Sequence, residues 1–242
     1  PDSPPSRSGR TSNVHMVLDF PRGDVEAEFA KADVVVSGHF SLPTVHQAHL
    51  EPNSAVATYI DGDLTVYCAS QVWFRLRHDL ARLTGVPEDQ VIVRPQHVGG
   101  AFGARNEQAT PVLAAILAIH TGRPAKLTNT REEEFYNAHP SVEFQIDMSI
   151  AADKEGNLLA KKCHYYTDIG AYDVAGESVT WVACTRADAL YRFKATRTVG
   201  EGIYTNRAPT AAYRGYGNPQ AHLAMESLVD MVAEKLGMDP TE

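Results

Sequence analysis

An α+β fold with mixed β-sheets and packed helices is the architecture this sequence predicts, and three observations predict it. Long alternating runs, clearest in VEFQIDMSIAADKEGNLLAKKCHYYTDIG, have the two-residue period of strands with one buried face. Helical periodicity occupies separate segments, most fully NPQAHLAMESLVDMVAEKLGMDP. The two kinds of segment do not alternate one for one, as an all-parallel βαβ chain would require.

Taken in order, residues 1–13 (PDSPPSRSGRTSN) are rich in Pro and Ser, have no periodicity, and read as a linker or the tail of an upstream segment. The rest, 14–242, reads as one domain. GDVEAEF is a short amphipathic helix with Asp24 at its start and Val25 and Phe29 on its apolar side, running into the strand VVVSGHF. SAVATYIDGDLTVYCAS holds two alternating runs around Asp61-Gly62, a hairpin signature. SQVWFRLRHDLARLTG sets Trp73, Leu76, Leu80 and Leu83 on one helical face, and Gly85 supplies the left-handed stop. VIVRP is a strand; a glycine-rich stretch follows; a helix runs from about Thr110, with Pro111 in its first turn, to Gly122. VEFQ to DIG is a long antiparallel hairpin turning at DKEGN. Beyond a poorly patterned loop, YRFKATRTVGEGIYTN gives further short strands. The last helix has Leu223, Leu228, Val232 and Leu236 on one face and Gly237 as its cap.

Composition excludes several classes. The 242 residues carry a net charge of −8, without the clustered Lys and Arg that nucleic acid requires. No apolar run is long enough to span a membrane, and no secretory signal pattern opens the chain. Cys68, Cys163 and Cys184 are widely spaced and odd in number, with no CxxC pair. They fit a reducing compartment, exclude a cysteine-only zinc or iron-sulfur site in this chain, and read as small buried hydrophobes.

Three stretches could carry chemistry. QHVGGAFGARN lies between a strand and a helix and could meet an anion with backbone N–H groups, yet it is neither GxGxxG nor a Walker A motif. It also puts a bulky residue, Phe102, into a tight turn. APTAAYRGYGNPQ holds Arg214 between tyrosines and glycines, where a guanidinium could grip an oxyanion. HQAHLEP offers His46, His49 and Glu51, but residues three apart on a strand face opposite sides, so structural histidines are the better reading than a zinc site on a turn. REEEF, residues 131–135, reads as a solvated charge run.

VGGAFGARN resembles the GGGFGGK-type loop, and PTAAYRGYGNPQ the RGFG.PQ-type loop, of the large molybdopterin-binding subunit in the xanthine dehydrogenase and aldehyde oxidase family. The likeness continues through GDVEAEFAKADVVVSGHF, HQAHLEPNSAVA, LTGVPEDQVIVRP and ESLVDMVAEKLGMDP, which is nearly all of the chain after residue 13. It implies that the chain is the first molybdopterin-binding domain, one half of the cofactor cradle. Gly100, Ala101, Phe102 and Gly103 match the loop whose amides approach the cofactor; glycine permits that approach. Gln71 matches a glutamine near the molybdenum ligands, and Arg214 an arginine beside the cofactor, so Gln71, Phe102 and Arg214 would lie nearest the metal. Asn106, Val182 and Tyr216 match positions of the substrate pocket. Purine-oxidising members carry a glutamate at the first and an arginine at the second, so an aldehyde or a less polar N-heteroaromatic is the expected substrate. Gly215 stands where copper-containing carbon monoxide dehydrogenases hold a cysteine, which leaves no soft ligand for Cu(I).

The resemblance further implies oxidation by attack of a molybdenum-bound hydroxide with hydride transfer to a Mo=S group. The base glutamate would lie in a C-terminal half, so no catalytic residue is expected in this chain and the chain alone would be inactive. It implies molybdopterin, in its plain or cytosine dinucleotide form. It implies as partners a second molybdopterin-binding domain or subunit, an iron-sulfur subunit and an FAD subunit, and a cytoplasmic setting with export of the folded complex as the alternative. The competing reading is a non-catalytic binding module that keeps the fold; a hydrolase built on His46 and His49 is a distant third.

Overall fold

The computed structural model describes residues 12–106 and 109–241. The expected linker at 1–13 therefore lies almost wholly outside the described residues. The chain divides into two compact units: one holds the described residues up to Val45, Ser141–Ala211 and the chain from Gly215 on; the other holds His46–Pro140 with Ala212–Arg214.

The first unit is a five-stranded sheet of β1 (Val14–Arg22), β2 (Val34–Leu42), β7 (Glu143–Ala152), β8 (Leu158–Gly170) and β9 (Ala195–Tyr204), in the order β1-β9-β8-β7-β2. The β7–β8 pair is the long hairpin expected from its alternation, and Asp153 closes its turn by accepting the N–H groups of Glu155 and Asn157. Residues 195–204 form one ten-residue strand instead of several short ones, because β8 and β1 pair along it on either side. β8 and β9 are parallel, so the chain must cross over between them. The crossover is α5 (Gly176–Arg186), inside the stretch that looks unpatterned in sequence. α6 (Asn218–Leu236) packs on β2 and β7, and α1 (Val25–Phe29) is capped by Asp24, whose Oδ1 accepts the Ala27 N–H. Phe144, Ile146, Met148, Ile150 and Tyr165 fill the core against Ala221, Met225, Leu228 and Val232 of α6. Leu223 lies on the rim of that face and is exposed.

The second unit is a four-stranded sheet of β3 (Ser54–Ile60), β4 (Asp63–Cys68), β5 (Val91–Pro95) and β6 (Ala125–Thr128), in the order β5-β4-β3-β6. Asp61 and Gly62, with φ of 51° and 95°, form the expected hairpin turn between β3 and β4. β5 pairs parallel with β4, and α2 (Trp73–Thr84) is the crossover. α3 (Ala109–Thr121) packs on β3 and β6. Leu76 and Leu80 of α2 are buried as expected, whereas Trp73 and Leu83 flank that stripe and are exposed.

REEEF is not a solvated run. It opens α4 (Arg131–Asn137), where Thr130 and Glu133 make a capping box and Glu134 is buried. The Glu134 carboxylate accepts hydrogen bonds from the Asn53 backbone, the Asn53 and Asn129 side-chain amides and His49 Nε2, which satisfies the charge inside the unit. Among the described residues no helix is long and apolar enough to cross a membrane.

Candidate functional site

Residues 99–106 of the second unit form a loop whose backbone is set by three left-handed residues: Gly100 (φ 98°), Phe102 (φ 54°) and Gly103 (φ 109°). Glycine is obligatory at 103, because a Cβ there would lie 2.2 Å from the carbonyl oxygen of Ala212. That carbonyl is itself held by Gln47, whose Nε2 donates to it at 2.8 Å. The 212–214 segment and the glycine loop are therefore in contact within one unit. Two successive turns, Ala104 N–H to Ala101 O (2.9 Å) and Asn106 N–H to Gly103 O (3.3 Å), carry the chain toward α3.

Gln71 supports the loop from the side. Its Oε1 accepts the N–H groups of Gly103 (3.2 Å) and Arg105 (3.3 Å), and its own N–H donates to Arg105 O (3.2 Å). From beneath, the fully buried Arg105 closes the loop: Nε donates to Gly100 O (2.9 Å), Nη1 to Asn53 Oδ1 (2.8 Å), and Nη2 to Glu51 O (2.7 Å) and Glu51 Oε2 (2.8 Å). Glu51 Oε2 also accepts the Gly99 N–H at 2.8 Å. Burial lowers the pKa of Arg105, opposed by the carboxylates of Glu51 and Glu134. Arg105 and Glu51 are the residues that sequence reasoning missed as a pair; a basic residue two places after a left-handed glycine, with a carboxylate in a neighbouring loop, was the available signal.

This anchoring leaves one side of the loop unspent. The N–H groups of Gly100, Ala101 and Phe102 donate to no acceptor among the described residues. The Phe102 side chain is 43% exposed, and the guanidinium carbon of Arg214 stands 5.7 Å from its ring centroid, within cation–π range. Arg214 is exposed and has no carboxylate partner among the described residues. Successive amide donors beside an uncompensated guanidinium suit an anionic or oxo-bearing group. The structure thus gathers Gln71, Gly100, Ala101, Phe102, Gly103 and Arg214, with Asn106 half-buried at the end of the loop.

Val182 and Tyr216 belong to the first unit. Val182 is a half-buried residue of α5, and Tyr216 (φ 52°) sits between Gly215 and Gly217, both also left-handed. The Tyr216 hydroxyl meets Ser178 Oγ of α5 at 2.7 Å, which fixes the ring beside that helix.

The histidines of HQAHLEP are structural, though on a loop and not a strand, so His46 and His49 stack on the same side with centroids 6.1 Å apart. His46 Nδ1 accepts the Ala48 N–H (2.8 Å), so Nε2 carries the proton and donates to Glu134 O (3.1 Å). His49, fully buried, gives its Nε2 proton to Glu134 Oε2 at 2.9 Å. Neither ring offers a metal a free lone pair on the Glu134 side. The three cysteines are free and buried; desolvation pushes the thiol of Cys68 up to about 11 and those of Cys163 and Cys184 to about 12, so they behave as apolar side chains.

Residues 7–242 match the family model described as molybdopterin cofactor-binding domain. The chain is 33% identical to a probable xanthine dehydrogenase subunit of Bacillus subtilis over 92% of its own length and 30% of that protein. It is 30% identical to the nicotinate dehydrogenase large molybdopterin subunit of Eubacterium barkeri, over 96% of this chain and 55% of that one. The crystal structure of quinoline 2-oxidoreductase from Pseudomonas putida 86 superposes with a TM-score of 0.89 at 29% identity, over 98% of this chain and 31% of that one. The chain thus spans from under a third to about half the length of these relatives.

Proposed function

Because the chain belongs to the molybdopterin cofactor-binding domain family, we propose that its glycine loop forms one wall of a molybdenum cofactor site in a hydroxylase that oxidises an aldehyde or an N-heteroaromatic compound. The observation that carries this reading is the row of amides at Gly100, Ala101 and Phe102, without acceptors among the described residues, beside Arg214 and held rigid from the far side by Gln71 and Arg105. When bound, the cofactor supplies the two-electron chemistry that oxidises the substrate carbon. Everything else required of this chain is positioning. The amides of Gly100 to Phe102 would donate to the cofactor's oxygen atoms. Arg214 would balance its negative charge, and Phe102 would shield it from water.

The resemblance, which assigns Asn106, Val182 and Tyr216 to substrate-pocket positions, supports that substrate class, because none of these side chains carries a charge. Asn106 and Val182 offer no carboxylate or guanidinium to polarise a purine ring, and the Tyr216 hydroxyl is already engaged by Ser178. A copper-dependent reaction fits poorly, since a Cβ at Gly215 would lie 2.4 Å from Pro219 Cγ and a cysteine there would also have to adopt φ 92°. Electrons would leave through iron-sulfur and FAD partners, and a second cradle domain would complete the pterin site and bring the base. The test is the molybdenum content of the protein purified with whatever chains accompany it. Near-stoichiometric metal, reduced by Arg214→Ala, is the expected result; a metal-free protein from cells that load other molybdoenzymes overturns the reading.

A further inference from the structure

In the first unit, the start of α5 meets the edge strand β1. His15 of β1 places Nε2 3.4 Å from Asp173 Oδ2 and 3.4 Å from Glu177 Oε2. A ring nitrogen bears at most one proton and cannot donate to two carboxylates at once. Both separations also exceed the 2.7–3.2 Å of a good N–H···O bond. They equal the edge of a coordination tetrahedron instead: ligands about 2.0–2.1 Å from a zinc ion lie roughly 3.3–3.4 Å from one another.

The surroundings suit a cation. The three donor atoms all fall within 4.8 Å of one another, although His15 is far in sequence from Asp173 and Glu177. Asp173 is already oriented, its Oδ1 accepting the Glu177 N–H at 3.2 Å, and the His15 ring leans on Tyr204 with centroids 4.9 Å apart. Side-chain exposure rises from 16% at His15 through 23% at Asp173 to 56% at Glu177, so the cluster is closed at the imidazole and open at the glutamate. Two carboxylates converging on one imidazole nitrogen concentrate negative charge that the N-terminal dipole of α5 offsets only in part, which favours a divalent ion.

We propose that His15, Asp173 and Glu177 bind a divalent cation of the zinc class, with water as the fourth ligand on the open side. The ion ties β1 to the first turn of α5. Ser178, next to Glu177, holds the Tyr216 hydroxyl, so the metal braces the turn that positions that ring. The site is independent of any molybdenum cofactor.

Equilibrium dialysis of the chelator-treated protein against zinc chloride, read as zinc bound per chain, tests it. One equivalent is expected. His15→Gln and Asp173→Asn should each weaken it at least about tenfold, the loss already typical when only a residue supporting a ligand is removed. Glu177→Gln, which preserves helix propensity, should weaken binding with an unchanged circular dichroism spectrum, separating loss of a ligand from loss of fold. Absence of bound zinc in the parent protein, or binding undiminished in all three variants, overturns the proposal; the first outcome would leave the cluster an ion pair only.

Discussion

Replacing Arg105 with methionine removes the charge and the fork while keeping most of the side-chain length. Four hydrogen bonds to described residues disappear, to Gly100 O, Asn53 Oδ1, Glu51 O and Glu51 Oε2. Adding up charged hydrogen bonds one by one would overcount, because the desolvation of the guanidinium is recovered at the same time. The relevant quantity is the cost of leaving one partner of a buried pair behind, about 3–5 kcal/mol. Since the Glu51 side chain is 33% exposed, water relieves part of that, and the lower end, about 3 kcal/mol, is expected. Arg105→Lys keeps the charge without the planar fork and should fall between parent and methionine variant. Equilibrium unfolding in urea measures the loss. Amide exchange of residues 96–106 locates it, because losing the clamp should expose Gly99 and Gly103 before the β3–β4 hairpin. A methionine variant within about 0.5 kcal/mol of the parent, the range of an ordinary surface substitution, with unchanged loop exchange would refute the idea that Arg105 holds the loop.

Two alanine substitutions at left-handed glycines should differ sharply in cost. Gly103→Ala drives a Cβ into the Ala212 carbonyl and should cost more than about 3 kcal/mol, whereas Gly122 has open space around it and should lose only about 1 kcal/mol, both by unfolding midpoint. Burial holds the His49 imidazole below its ordinary pKa of 6.5 against the pull of Glu134, since protonating Nδ1 would bury an N–H without an acceptor among the described residues. The unfolded chain therefore takes up this proton first. The stability it contributes is complete above about pH 6.5 and is lost as pH falls through the lowered folded value. His49→Gln should flatten the decline in urea midpoint between pH 7.5 and 5.5; an equally steep decline in the variant would exclude His49 as its source. Thr130→Ala should cost about 1 kcal/mol by loss of the α4 cap, and Glu134→Ala about 3 kcal/mol by stranding four donors, so a reversed order would show that the buried carboxylate is not the anchor.

Periodicity made legible whatever depended on large apolar side chains facing one way. The β7–β8 hairpin and α2, α3 and α6 could be located from that signal. α5 could not, although its buried positions Gly176, Val179, Thr180, Ala183 and Cys184 follow helical spacing. The face is built from small and weakly polar residues, so an apolar count misses a pattern that burial reveals. β6 is four residues long, too short for alternation to register, and β1 exposes Val17 on its outer side. Glu134 was hidden differently. Three consecutive glutamates look solvated, yet Thr130 and Glu133 spell a capping box, and a helix begun there turns the third glutamate inward.

Glycine spacing carried the site further than periodicity did. Left-handed φ at a non-glycine residue occurs at four described positions: Ala48, Asp61, Phe102 and Tyr216. Asp61 belongs to a hairpin turn that favours such geometry. An aromatic side chain does not, and holding one there costs roughly 1–3 kcal/mol. Packing returns little of that cost at Phe102, whose side chain is 43% exposed and whose ring meets the likewise exposed Arg214. The second unit nevertheless spends a buried arginine, a glutamate and a glutamine on fixing the backbone on either side of this residue. A turn needed only to join β5 to α3 would relax to a cheaper conformation with a small residue at its tip. The proposed function would account for the retained strain: to line a cofactor site the loop would have to present three amides and a ring outward together.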